Sequence, residues 1–275
     1  MNLVPGVLVY RLDLKHDQRR RPHHSRYQRN EGARMGFTAR AMIDARYSLT
    51  STYLHAAAMF AKRACEIEAT TSSQTLTADI LDEHQGHVLA AVMQAVAALE
   101  AEIYEVIVHG PGHHLGSTRI DTAARDLLKG MLIGSNKRAQ FPKGSHLGKN
   151  ESKTLFFYSL VLKLLNKPSL NAVQQGSAAA LLFDLRDELT HYKSQWGADI
   201  DKDFLAKLDA LNLRRPSFIQ PTENRFPRRY LSAAYAAWAV ETAMDVLVAF
   251  YLLLDHPPPI VHVIPKVRAL LDACK

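Results

Sequence analysis

From Arg46 onward, apolar residues recur at helical spacing, and the alternation of β-branched residues that marks a strand never extends over a useful length. A first helix is predicted over roughly 51–69, with Leu54, Ala57, Ala58, Ala61 and Cys65 on one face, followed by the linker Thr70-Thr71-Ser72-Ser73. The second, from about Asp79 to His109, places Val88, Val92, Ala95, Val96, Leu99, Ile103 and Ile107 at spacings of 4, 3, 1, 3, 4 and 4, which is one broad apolar face. Gly110-Pro111-Gly112 stops it. Further helices are expected at about 120–132, 152–165, 171–192 and 229–254. No internal repeat is visible, so the pattern predicts one all-α domain over 47–275.

Residues 10–46 break this pattern. With Arg19-Arg20-Arg21-Pro22-His23-His24 and almost no apolar periodicity, they read as disordered, which makes 1–46 a basic extension ahead of the domain. The chain's net charge of +7 is concentrated there: residues 1–50 carry 10 Lys and Arg against 4 Asp and Glu, and the rest carries 24 against 23. A charge argument for nucleic-acid binding therefore applies to the tail. The tail is read either as an unstructured extension ahead of a start at Met35 or as a basic arm that holds phosphate backbones.

Cys65, inside an apolar helical pattern, and Cys274, at the far end, are the only cysteines and make poor material for a disulfide framework or a thiolate metal site. A reducing compartment fits that reading. The N-terminus lacks a signal-peptide core, since Pro5 and Gly6 interrupt its apolar stretch and no basic residue precedes it. The run Leu231–Leu254 is long enough for a membrane span, but Glu241 and Asp245 sit at its middle, where a carboxylate is expensive in lipid. It reads as a buried bundle helix, and the chain as a soluble, cytoplasmic protein that does not engage a membrane.

The helix from Asn171 carries an apolar stripe at Ala178, Leu182, Leu185, Leu189 and Tyr192, and Arg186 and His191 flank it. Five residues apart means about 140° around the helix and roughly 7.5 Å along it, so a joint site needs a neighbouring helix or a second copy of the chain. Asp187 stands four residues before His191, where its carboxylate is placed to accept the imidazole proton and raise the ring's basicity. Arginine's planar fork stabilises charge on phosphate oxygens and histidine moves a proton near neutral pH. The pair therefore suffices for RNA cleavage with the 2′-hydroxyl as nucleophile, without metal or cofactor.

Leu185-Arg-Asp-Glu-Leu-Thr-His-Tyr192 resembles the Arg-x-x-x-x-His signature of the HEPN superfamily. Ala98-Leu-Glu-Ala-Glu-Ile-Tyr-Glu105 is similar to an earlier-helix stretch of one HEPN-like group, and Phe226-Pro227 with Ala236-Ala-Trp-Ala-Val240 to that group's closing helix. The matches fall in the group's order over about residues 50–255. The resemblance implies an antiparallel helical bundle that dimerises about the signature helix, a metal-independent endoribonuclease site in active members, and a toxin or defence role in which an antitoxin partner is possible. Carried over, Arg186 polarises the scissile phosphate, His191 acts as acid or base and Asp187 orients it, with Glu100 and Glu105 in support. Two residues depart from the pattern: Asp187 stands where asparagine is commonest, and Tyr104 where the related group has asparagine. The alternative function is a non-catalytic module in which Arg186 and His191 pair across the dimer.

Lys193, just past His191, and Lys137, Arg138 and Lys143 in the Gly134–Asn150 loop are the candidate phosphate contacts. His109, His113 and His114 lack the cysteine or paired carboxylate of a metal site and read as solvated. Gly144-Ser-His-Leu-Gly148-Lys149-Asn150 falls short of a P-loop, with three residues between its glycines and asparagine where serine or threonine must hold magnesium. Trp238 and Tyr230, Tyr235 and Tyr251 read as core.

Overall fold

The computed structural model describes residues 9–11, 42–44, 49–109, 126, 128, 130, 152–170, 173–191, 201–216, 218 and 226–274. The chain divides into two units, 1–47 and 48–275. In the first, strand β1 (Val9–Arg11) pairs antiparallel with β2 (Met42–Asp44), Tyr10 opposite Ile43. This ribbon lies at the two ends of the segment expected to lack regular structure; the residues between the strands are outside the described set.

Among its described residues the second unit is all-α. Helix α1 (Leu49–Thr70) and α2 (Ala78–His109) form a hairpin, since Phe60 stacks near His87 while Arg63 reaches back to Glu83. All seven predicted positions of α2 and all five of α1 are buried. The contact face of α1 is largely alanine (Ala57, Ala58, Ala61 and Ala64), and such small side chains let neighbouring helix axes approach closely. Asp126, Leu128 and Gly130 are helical, within the segment predicted as the third helix.

Three predicted helices frame the rest, α3 (Lys153–Leu164), α4 (Gln174–Thr190) and α6 (Ala233–Leu253), with α5 (Lys202–Ala210) between α4 and α6 and α7 (Ile264–Leu271) at the end. Of these, α5 and α7 were not anticipated from hydrophobic spacing. Helix α6 is long and apolar enough by composition to cross a membrane, with a mean hydropathy of 1.5, yet twelve of its residues are buried, packed against α1, α2 and α4. Glu241 and Asp245 lie on its outer side, as a bundle helix requires. Tyr230, Tyr235 and Tyr251 are buried and Trp238 is half-buried, in line with the expected core.

Helices α3 and α6 end in the same way. Asn166 and Asp255 take left-handed φ of 54° and 57°, and the following N–H groups turn back to Leu162 O and Tyr251 O, both at 2.9 Å. These are Schellman caps, which satisfy orphan carbonyls at the cost of one left-handed residue. Lys167 and Asp255 then join the two helix ends by an ion pair. Because a Cβ-bearing residue without a local polar group pays about 1–2 kcal/mol in this conformation, Asn166→Ala is expected to lower the unfolding free energy by about 1 kcal/mol in urea titration, whereas Asn166→Gly leaves it unchanged or raises it.

Cys65 and Cys274 are joined by a disulfide, so the expectation that they were unsuited to one is overturned. They are 209 residues apart in sequence, but the 3-10 turn Asp272–Cys274 packs on α1 and brings the Cα atoms to 5.3 Å. The bridge also removes the support those cysteines gave to a reducing compartment.

Candidate functional site

Helix α4 carries Arg186 and His191. It is covered on more than one side, so its buried set is Gly176, Ala179, Leu181, Leu182, Phe183 and Leu185. Of the predicted stripe, Leu182 and Leu185 are fully buried, Ala178 and Leu189 are half-buried, and Tyr192 lies outside the described residues.

Arg186 extends from α4 toward α2. Its Nη2 donates to Glu100 Oε1 at 2.9 Å, its Nε lies 3.1 Å from Asp187 Oδ1, and its guanidinium stands 5.8 Å from the Phe183 ring centroid. The side chain is 26% exposed, against 46% for Glu100 and 57% for Asp187. The arginine is thus clasped by carboxylates while one edge remains reachable. The Glu100 contact is a charge-assisted hydrogen bond, firmer than one to a neutral partner, whereas Nε lies within ion-pair range of Asp187 without a hydrogen-bond partner.

His191 is not in the helix body. It is the C-cap, with φ −102° and ψ 22°, and its backbone N–H donates to Asp187 O at 2.9 Å. The imidazole is exposed. The expected side-chain contact between Asp187 and His191 is replaced: Asp187 meets His191 through its carbonyl and turns its carboxylate to Arg186. Thr190 donates to Arg186 O at 2.7 Å and approaches Met93 Sδ at 3.6 Å, pinning the last turn of α4 to α2.

The surrounding field is acidic. Partial burial pushes the Asp184 carboxyl above its ordinary range, opposed by Lys207 of α5 and reinforced by Asp187, Glu188 and Asp201. Glu105, half-buried on α2, contributes to the field that raises the Tyr251 hydroxyl, behind burial and Glu102. Of the candidate phosphate contacts, Lys193, Lys137, Arg138 and Lys143 all fall outside the described residues, as do His113 and His114 and the Gly144–Asn150 loop. Among the described residues no cluster of His, Cys, Asp and Glu is arranged to hold a metal ion.

No protein-family model, curated protein or solved structure matches this chain.

Two buried polar clusters lie outside the predicted site. At one end of the α1–α2 hairpin, His84 Nε2 is 2.9 Å from Glu68 Oε1, and the same oxygen accepts the N–H of Ala233 at 2.6 Å, in the first turn of α6. Arg214 Nη2 stands 3.8 Å from Glu68 Oε2, and Phe218 packs edge-on to the imidazole with ring centroids 5.2 Å apart. With Oε1 accepting from both sides, His84 Nε2 is the donor, and Nδ1 is buried without a hydrogen-bond partner. At the other end, Tyr251 donates to Glu102 Oε1, Tyr158 donates to Leu99 O at 2.8 Å, and Thr50 sits beside the Glu102 carboxyl. The sequence signal for both was available. Glu102 falls three residues after Leu99 on the apolar face of α2, and Glu68 three after Cys65 on that of α1, each a carboxyl where the helical period calls for an apolar side chain.

Proposed function

We infer that this chain is a HEPN-like helical protein that binds RNA, and that Arg186 and His191 act on a backbone phosphate in a cleft formed between two copies. The observation that carries the reading is the Arg186–Glu100 contact at 2.9 Å. Two of the three segments that resemble the HEPN pattern, separated by 86 residues, meet there side chain to side chain. The third follows on α6, which packs against α4. His191, exposed at the end of α4, presents a proton donor and acceptor to whatever approaches that end. One chain does not suffice: Arg186 turns inward to α2, while His191 caps the helix end with its side chain exposed. A second copy supplies the complementary residue of each pair.

The acid around Arg186 sets a condition on this chemistry. A phosphate must take the place of Glu100 at the guanidinium, so Glu100 works as an internal stand-in for the anion. The same clasp favours the alternative, a non-catalytic interaction module, because an arginine held by two carboxylates has its charge already satisfied.

The test is incubation of the purified protein with mixed single-stranded and structured RNA in excess EDTA, beside Arg186→Ala and His191→Ala. Cleavage that survives chelation, leaves 2′,3′-cyclic phosphate ends and falls by about two orders of magnitude or more in both variants is the expected result. Intact RNA over a broad panel, with His191→Ala weakening self-association in sedimentation velocity, selects the interaction module.

A further inference from the structure

Cys65 and Cys274 are chemically unequal partners in their bridge. Cys65 is buried among the alanines of α1, whereas Cys274 is partly exposed at the C-terminal 3-10 turn. What the bridge holds down is slight. Helix α7 has eight residues and commits only Val267 and Leu271 to the core, joined by Ile260 and Val263 from the turn before it. A helix of about two turns has little stability of its own, and a terminal segment frays unless something ties it. Its polar side borders an open surface depression of about 220 Å³ between α6 and α7, lined by Glu241, Met244, Asp245, Arg268 and Asp272. Ile260, Val263, Val267 and Leu271 join the edge of the hydrophobic core, whose larger part comes from α1, α2, α4 and α6, and the segment packs chiefly on α1.

We propose that residues 260–274 form a redox-released clasp: the Cys65–Cys274 disulfide closes α7 over α1, and a dithiol reductant opens it. Cys274, partly exposed where Cys65 is buried, directs the attack. One thiolate of the reductant bonds to Cys274 Sγ, the Sγ–Sγ bond breaks, and Cys65 leaves as a thiolate that takes up a proton. The reductant's second thiol then attacks the mixed disulfide and releases Cys274 as a thiol. Two electrons and two protons pass to the protein, and the reductant departs as a cyclic disulfide. Freed of its tie, α7 leaves the stretch of α1 about Ala61, whose carbonyl oxygen lies 3.6 Å from Cys274 Sγ in the closed form. The rest of the bundle stays folded.

Hydrogen exchange read by mass spectrometry on the full chain tests this, comparing oxidised protein with protein held in dithiothreitol. The expected result is exchange at least ten times faster over 260–274 and in α1 around Ala61–Cys65 on reduction, with α2 and α4 unchanged. Cys274→Ser should show the fast pattern with or without reductant, and the wild-type comparison stands alone should that variant not fold. Equal rates in the two redox states would overturn the proposal, as would loss of protection throughout the bundle, which makes the bridge a staple of the whole fold. So would recovery of two alkylatable thiols from denatured protein previously equilibrated with oxidised glutathione.

Discussion

Glu68→Ala is expected to lower the unfolding free energy by about 3–5 kcal/mol, the cost of removing one partner from a buried charged or polar pair and leaving the other uncompensated. Glu68 is almost wholly enclosed, and three elements converge on its carboxyl: α2 through His84, α6 through the Ala233 N–H, and the chain before α6 through Arg214. Truncation leaves the His84 and Ala233 N–H groups facing a cavity. It also removes a negative group from the N-terminus of α6, where the helix dipole favours one. A loss of that size is a large share of the 5–15 kcal/mol typical of a domain.

Glu68→Gln separates the causes. The amide oxygen still accepts from His84 and Ala233, so this variant should lose less than half as much as the alanine variant in guanidinium unfolding. An alanine variant within about 1 kcal/mol of wild type would mean that the cluster does not hold these elements together. Equal losses in the two variants would assign the effect to charge, with Arg214 and the helix dipole as its partners.

Hydrophobic period revealed the long helices because over twenty or more residues it cannot arise by accident. The faces of α1 and α2 were placed residue by residue in this way. It missed α5 and α7, which are nine and eight residues long, too short for a period to repeat. Their signals were local: Asp201, whose side chain caps α5 by accepting from Asp203 N at 2.8 Å, and Pro265 in the first turn of α7. The stripe on α4 was only partly right, because a helix covered on several sides buries an arc wider than one stripe.

At the candidate site, spacing placed Asp187 beside His191 on the assumption that both were helical. His191 is instead the C-cap, and its altered backbone takes the imidazole out of register while Arg186 supplies Asp187 with a cation. Glu100 entered the reading only through the resemblance, since no local rule predicts a contact across 86 residues. The disulfide was invisible for the same reason: proximity of Cys65 and Cys274 is a property of how the last turn packs on α1.

Glu102→Gln is expected to stabilise the protein at neutral pH by about 1–3 kcal/mol, the usual cost of a buried polar atom left without a partner. Glu102 is 1% exposed, and neither its Oε2 nor Thr50 Oγ1 has a hydrogen-bond partner. Burial pushes the carboxyl above its ordinary value of 4.5, opposed by the hydrogen bond from Tyr251 and by the Thr50 hydroxyl. Burial likewise raises the Tyr251 hydroxyl, which stays protonated and keeps donating. A glutamine sets an N–H where Oε2 stands, facing Thr50 Oγ1, while its oxygen continues to accept from Tyr251. The pH dependence fixes the cause. Because the folded carboxyl is raised, its neutral form supports the fold fully below pH 4.5, where the unfolded chain is protonated too. That support is lost as pH rises toward the folded value, since the unfolded chain gives up its proton first. The advantage of glutamine should therefore be small near pH 4, grow with pH and level off once the folded carboxyl has ionised. An advantage that stays constant from pH 4 to 8 in parallel denaturation curves would place its origin in packing, with no part played by the buried carboxyl's proton.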